Sequence, residues 1–291
     1  MASNHRAHGM LPVLALLAGS GMWGLVWYPM RLLNAAGLDG IWLTLILYAS
    51  ALVFSLPRTA PVFREYPRAP AAIVALMLAG GWTNVAFLVA VLHGDILRVM
   101  LLFYLSPLWA TLLGWLVLGE RVGVRAQAGL ALAMAGALLM LWNPQTRGVW
   151  PHGASDWLAI SSGFAFAVGN VMVRQMKGIS VTAKSVAIWV GVLGVGAAVA
   201  GLLHLAPPHA PAGAFAGAVA LGIFGILVMT LLVQYGVTHM PVHRSAVIML
   251  FELVAGALSQ QQLAAVQVGV REWAGGALIM TGAYLAALAS G

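Results

Sequence analysis

An all-α integral membrane protein, with about ten transmembrane helices in two inverted five-helix repeats around a central cavity, is the fold that three features of this sequence predict. Charge is scarce: 7% of the 291 residues are charged and 62% are hydrophobic, where a soluble domain carries roughly 25% charged residues. The mean hydropathy is +0.96 over the whole length, so lipid rather than water is the main solvent. The apolar residues are grouped into continuous runs of membrane length, and the second half of the chain repeats features of the first at a fixed offset.

The runs fall at about 10–33, 40–56, 70–92, 96–118, 124–142, 155–176, 184–205, 212–238, 244–263 and 272–289, separated by charged or proline-rich punctuation. They define spans 1 to 10 and leave no sizeable soluble domain. Continuous apolar runs are not the alternating ten-residue segments of a β-barrel. Arg6 ahead of the run from Met10 superficially resembles a signal peptide, but the run continues through Leu33 and is read as the first span. Cysteine is absent, which excludes a disulfide framework, a thiolate nucleophile and a cysteine-ligated metal. A net charge of +7 would suggest nucleic acid in a soluble chain; here it reflects basic loops, and no nucleic-acid partner is expected.

Lys and Arg segregate by side. Arg6, Arg58, Arg64, Arg68, Arg121, Arg125, Arg174, Lys177, Lys184 and Arg244 fall on one side and only Arg31, Arg98, Arg147 and Arg271 on the other, so the first side and both termini are expected to be cytoplasmic in an inner membrane. Asp39, Asp95, Asp156 and Glu272 fall outside, and Glu252 is the one acid assigned to neither a loop nor a helix end. At an offset of 146, His93 and Arg98 recur as His239 and Arg244, Gly129 as Gly275 and Gly136 as Gly282. Trp23-Gly24 with Arg31 matches Phe166-Ala167 with Arg174 at an offset of 143. The repeats are read as residues 10–142 and 155–289. Five spans per repeat is odd, so the second repeat enters the membrane in the opposite sense. Such a pair supports two arrangements open to opposite sides, with a site near the midplane between the halves; this favours transport over a merely duplicated bundle.

The segment LSPLWATLLGWLVLGERVGVRAQAGLALAMAGALL, Leu105 to Leu139, with Pro107, Gly119-Glu120-Arg121, Gly129 and Gly136, resembles the end of the first repeat in the drug/metabolite transporter superfamily. Together with Trp23-Gly24 and the duplication, it makes nearly the whole chain similar to the EamA-type ten-helix exporters, most of all to the bacterial aromatic amino-acid exporter group. The resemblance implies a basket of helices around the cavity, with spans 3, 4, 8 and 9 moving most. The second half departs from the pattern: Leu253 stands where Pro107 has its counterpart, and Ala265-Val266-Gln267 replaces the Gly-Glu-Arg triplet.

Polar residues inside spans are expensive in lipid, so those sharing a helical stripe face a cavity or another helix. Span 9 carries Ser245, Met249, Glu252, Gly256 and Ser259 on one stripe. Span 4 carries Phe103, Ser106 and Ala110 with Tyr104 alongside, span 1 Ser20, Gly24, Trp27 and Arg31, span 3 Thr83, Asn84 and Phe87, span 6 Asn170, and span 8 Thr230, Gln234 and Thr238. The candidate substrate-binding set is Trp27, Asn84, Tyr104, Ser106, Asn170, Gln234, Met249 and Glu252, with Pro107 and Gly24 as candidate hinges. For Ser20, Ser106 and Thr230, a bond back to the preceding turn is an equal alternative; for Asn84, Asn170 and Gln234, interhelical bonding is. Trp42, Trp142, Trp150, Trp157 and Trp273 are read as interfacial anchors, and Trp23, Trp27, Trp82, Tyr104 and Trp109 as deeper. Pro107 removes a backbone donor and frees a carbonyl near Phe103. Glu252 is eight residues from Arg244, about 12 Å along a continuous helix, and so must meet water or substrate, pair through a bent helix, or become neutral.

Hydroxyls, amides, rings and one acid suit an amphipathic solute. Export of amino acids, aromatic and other apolar ones, by alternating access is the expected function, the substrate resting on the resemblance. Export of cationic drugs or other metabolites on the same fold is the alternative, Glu252 offsetting the substrate charge. An intramembrane serine enzyme is remote: Gly19-Ser20-Gly21 resembles a nucleophile setting, but the eight histidines lie in the N-terminal segment, loops or helix ends, out of reach of a deep serine. No enzyme activity, cofactor or metal is expected; the partners are a small-molecule substrate and the bilayer, with oligomeric state left open.

The orientation is tested by single cysteines, with no native cysteine to remove. An impermeant thiol reagent outside the cell is expected to label position 148 and not position 64; the reverse pattern inverts the topology.

Overall fold

The computed structural model describes residues 2–38, 40–94, 96–142, 150–263 and 268–288. The expectations attached to Asp39, Asp95, Arg147, position 148, Ala265-Val266-Gln267 and the end of the second repeat at 289 fall outside these residues. The described residues form ten helical rods and no strand: α1 (Ala2–Ala35), α2 (Gly40–Thr59, running on as a 3-10 helix over Ala60–Arg68), α3 (Pro70–His93), α4 (Ile96–Phe103 and Ser106–Leu118), α5 (Val124–Leu141), α6 (Ala154–Gln175), α7 (Val181–Leu202), α8 (Ala212–Leu221, a π turn at Gly222–Ile226, then Leu227–His239), α9 (Val242–Met249 and Phe251–Leu263) and α10 (Val270–Leu288). Nine of them are long and apolar enough to cross a membrane.

The expected spans are recovered, with corrections at their ends. The segment with Arg58, Arg64 and Arg68 is helical rather than a loop. Span 9 starts earlier, at Val242. Spans 4 and 9 are each broken, at Tyr104–Leu105 and at Leu250, positions one repeat offset of 146 apart. Pro107 stands in the first turn after the first break, where its missing N–H costs nothing. The second break forms without a proline, since Leu253 occupies that position, so the interruption belongs to the repeat and not to the proline.

The packing follows an exchange of each rod for the one five later. α3 lies against α6 and α7, and α8 correspondingly against α1 and α2; α4 packs on α6, and α9 on α1; α2 meets α7, α4 meets α9 and α5 meets α10 across the halves. The α5–α10 seam shows the relation at atomic scale. A Cβ on Gly136 would lie 2.5 Å from the Gly275 carbonyl oxygen, and one on Gly129 would lie 2.9 Å from that of Gly282. Repeat-related glycines thus meet crosswise, as an antiparallel pair about a two-fold axis must. These glycines serve a contact within the chain. His93 and His239, another repeat pair, each place Nδ1 against the carbonyl four residues earlier, of Val89 at 2.9 Å and of Tyr235 at 2.7 Å.

Gly80, Gly81 and Gly191 similarly bring α3 onto α7; a Cβ on Gly191 would overlap the Met77 carbonyl. With no hydrophobic force between helices in lipid, close backbone approach at small residues is a principal source of association. Trp142, Trp150, Trp157 and Trp273 are exposed near rod ends, as anchors should be. Trp82, midway along α3, is 40% exposed on the rod surface and donates to Ser161 Oγ at 3.1 Å.

Gly136→Ala is expected to destabilise the protein by about 1–3 kcal/mol through overpacking, read as a lower thermal midpoint in detergent. Gly194→Ala, where an added Cβ meets nothing within 4 Å, is the control and should be neutral or mildly stabilising.

Candidate functional site

The two breaks lie at the seam between the halves, and close approaches hold them. A Cβ on Gly163 of α6 would sit 2.6 Å from the Phe103 carbonyl oxygen at the first break. One on Gly24 of α1 would sit 2.5 Å from the Glu252 carbonyl oxygen just past the second. Gly24 is therefore a contact that admits α9, and any larger side chain would push the rods apart.

Glu252 is placed differently from the expectation of a mid-helix acid. It occupies the first turn of the second piece of α9, where free N–H groups and the helix dipole favour negative charge. It is half-buried, and Tyr104 of the other break lies close enough to interact with it electrostatically. Arg244 is engaged elsewhere, donating to the carbonyls of Ala286 and Ala287 at 2.6 and 2.5 Å.

Beside this pair the rings of Phe87, Phe103, Tyr104 and Phe166 form a cluster: Phe103 lies 4.8 Å from Phe87, 5.3 Å from Tyr104 and 5.7 Å from Phe166, centroid to centroid. The three phenylalanines are half-buried. Phe166 was visible in the sequence only as the counterpart of Trp23, and no polarity signal marks it as part of a site.

The other candidates divide. Trp27 Nε1 donates to Ser259 Oγ at 2.8 Å, and that hydroxyl donates to the Gly24 carbonyl at 3.1 Å, so both belong to the α1–α9 contact beside Glu252. Asn84 accepts from Tyr48 Oη at 2.9 Å and donates to the Gly80 carbonyl at 2.9 Å, joining α2 to α3. Thr230 bonds back to the Ile226 carbonyl at 2.7 Å. Ser106 is buried at the start of the second piece of α4, and Met249 is buried in the apolar core. Ser20, Asn170 and Gln234 are 2%, 3% and 6% exposed, and each has a side-chain polar atom without a hydrogen-bond partner. Trp109 packs edge-on against Phe164 at 5.7 Å.

Each end of the seam is tied by ions. At one end Arg98 pairs with Asp156 at 2.8 Å and also contacts the Trp150 carbonyl and His152; Asp156, expected at the outer end of span 6, is buried in the first turn of α6. At the other end Gly119 caps α4 in the left-handed conformation, φ 66°, and reverses the chain so that Glu120 points back beneath α9. Glu120 accepts from the Val242 N–H at 2.8 Å and from Arg174 Nε at 3.3 Å, with His243 Nδ1 3.6 Å away. Arg174 Nη1 donates to the Thr238 carbonyl at 2.9 Å, and buried Lys184 donates to Thr238 Oγ1 at 3.1 Å. Glu65 accepts from Ser180 N and Oγ at 2.7 and 2.9 Å. This is the chemistry behind Gly119-Glu120: the glycine turns, and the acid clamps one half to the other. Burial raises the Glu120 pKa, but His243, the Val242 N–H and Arg174 outweigh it and hold the carboxyl below its ordinary value of 4.5.

Among the described residues no group of three or more His, Asp or Glu is arranged to hold a metal ion. Among the described residues Ser20 Oγ has no hydrogen-bond partner.

Residues 10–142 match the model of the EamA-like transporter family. A protein of Archaeoglobus fulgidus (strain ATCC 49558 / DSM 4304 / JCM 9628 / NBRC 100126 / VC-16), described as an uncharacterized transporter, is 24% identical over 226 residues, 77% of this chain and 78% of its own. A solved crystal structure of a protein 17% identical superposes with a TM-score of 0.76 over 96% of both chains, a likeness of fold.

Glu120→Gln tests the clamp. A carboxyl whose folded pKa is depressed adds stability that is present above its ordinary value and is lost as pH falls through the folded one. The wild type should therefore lose thermal stability on acidification below about pH 4.5 more steeply than Glu120→Gln. At neutral pH the variant should melt lower, hydrogen bonds to a charged group being worth about 1.5–3 kcal/mol before solvent screening at this partly exposed end.

Proposed function

We propose that this chain, whose residues 10–142 match the model of the EamA-like transporter family, is a membrane transporter of small solutes that exports amino acids, aromatic and other apolar ones, from the cytoplasm across the inner membrane. Its inverted halves, residues 10–142 and 155–289, would alternate between inward-open and outward-open arrangements, with both termini cytoplasmic. No bond is made or broken in this reading, and no cofactor or metal takes part.

One observation carries the proposal. The aromatic cluster of Phe87, Phe103, Tyr104 and Phe166 adjoins the Glu252 carboxyl at the seam between the halves. Rings offer offset or edge-on contacts to an aromatic or apolar side chain, and the acid together with ring faces offers a seat for an ammonium. Alternation would act through the breaks. Spans 4 and 9 can swing about Tyr104–Leu105 and Leu250 while the clamps at Glu120 and Arg98 open in turn. The same acid beside rings favours a second reading, export of cationic drugs or other metabolites.

Proteoliposomes loaded with labelled phenylalanine, leucine or an organic cation separate the two. Amino-acid transport is expected, reduced at least tenfold in Phe103→Ala and Tyr104→Ala with folding intact. Loss of pH dependence or of transport in Glu252→Gln is expected as well, since the swap removes the charge and keeps the shape. Transport of the cation alone replaces the first reading by the second, and transport of neither sinks both.

A further inference from the structure

Arg174 of α6 and Thr238 of α8 are in contact. α6 and α8 are separated by one complete rod, so they run in the same direction, and residues one turn back from that contact, Asn170 and Gln234, fall at one level along the rods. α1 reaches the same level: a Cβ on Gly19 would lie 2.9 Å from Val233, which sets Ser20 beside Gln234. Among the described residues the Oγ, Nδ2 and Oε1 atoms of Ser20, Asn170 and Gln234 are buried without a hydrogen-bond partner, as are ring nitrogens of Trp42, Trp109, Trp189 and His243 elsewhere. Leaving one such group unpaired in an interior is costly, and here three fall at one level on three rods drawn from both halves.

The layer carries no formal charge, but charges bracket it. One turn toward the Glu120 end are Arg174 and Lys184, both held on Thr238; the acids that offset them, Glu120 and Glu65, lie further out, in the α4–α5 connection and the 3-10 helix. In the other direction, four residues along α1, Gly24 touches the Glu252 backbone. Four residues on α1 span about 6 Å, so the layer lies one helical turn from the cationic side and one helical turn from the level of Glu252. Phe166, four residues from Asn170 on α6, brings the aromatic cluster to its edge.

The geometry points to a carboxylate subsite formed by Ser20, Asn170 and Gln234, which takes the acid end of an aromatic solute whose ammonium faces Glu252. The inference rests on the amino-acid reading above and adds to it the orientation of the solute. A hydroxyl and two amides supply donors to a carboxylate, and a side-chain amide presents its NH2 by turning over, at no change in shape. On an α-amino acid the nitrogen and carboxylate oxygens are about 3 Å apart. Adding a hydrogen bond of about 3 Å at each end spans the gap between the layer and Glu252. The bound solute thus lies with its carboxylate toward the Glu120 end and its ring in the phenylalanine cluster. It replaces unpaired interior groups by satisfied ones on both halves, so binding itself draws α1, α6 and α8 together.

Calorimetry on the purified full chain in detergent tests this with three probes: phenylalanine, phenethylamine, which lacks the carboxylate, and 3-phenylpropanoate, which lacks the ammonium. In Asn170→Ala and Gln234→Ala the Kd for phenylalanine and for 3-phenylpropanoate should rise at least about tenfold, while that for phenethylamine stays unchanged and reports an intact fold. Asn170→Asp should weaken phenylalanine further and tighten phenethylamine. Glu252→Gln should show the opposite pattern, losing phenethylamine and sparing 3-phenylpropanoate. If the wild type binds phenylalanine but the amide variants weaken phenethylamine as much, or leave phenylalanine untouched, the subsite is overturned and the amino-acid reading stands. If the wild type binds phenethylamine and not phenylalanine, or binds none of the three, the amino-acid reading falls and takes the subsite with it.

Discussion

In hydrocarbon an unpaired backbone N–H or C=O costs several kcal/mol, so a membrane rod can be interrupted only where protein encloses the interruption. α4 and α9 are interrupted, and the rest of the architecture is arranged to enclose them. Gly163 lets α6 lie directly on the Phe103 carbonyl, and Gly24 lets α1 lie directly on that of Glu252. Those approaches in turn need α3 against α6 and α8 against α1, and they place both breaks at the seam of the two halves. The same interruption creates a fresh helix start inside the membrane, where an acid is better tolerated than in mid-helix, and Glu252 takes it.

Symmetry built the frame, and departures from it supply the chemistry. Glycine pairs 129–282 and 136–275 satisfy the two-fold relation, as do the His93 and His239 bonds. Glu252, by contrast, has Ser106 as its counterpart, and Phe103, the hub of the ring cluster, has Met249. One half therefore provides the acid and the other three of the four rings. Arg98 and Arg244 diverge too: the first binds Asp156 across the halves, whereas the second closes the carbonyl end of α10 within its own half. A duplicated chain that remained symmetric would offer two like surfaces; this one offers two unlike surfaces facing each other.

The sequence by itself determined the class of solvent, the number of rods and the existence of a repeat. Each of these is carried by composition, by run length or by identity at a fixed offset, and none depends on which rod touches which. It also marked Tyr104, Asn170, Gln234 and Glu252 as polar residues inside spans, and Gly119-Glu120 as part of the motif that carries the family resemblance. What it could not reach was their pairing. The helix period taken through Ser245, Met249, Glu252 and Ser259 assumes one continuous helix, and the break at Leu250 is written in no proline or glycine, because it is the packing of α1 against α9 that stabilises it. Asn84 and Asn170 read alike in sequence; only the tertiary structure gave the first a partner in Tyr48 and left the second without one. Phe166 carried no signal, since a phenylalanine in a span is ordinary and becomes informative only when it is found beside Phe103, which also gathers Phe87 and Tyr104. Local pattern fixes what lies in the membrane, and contact between distant segments decides which polar groups are satisfied there.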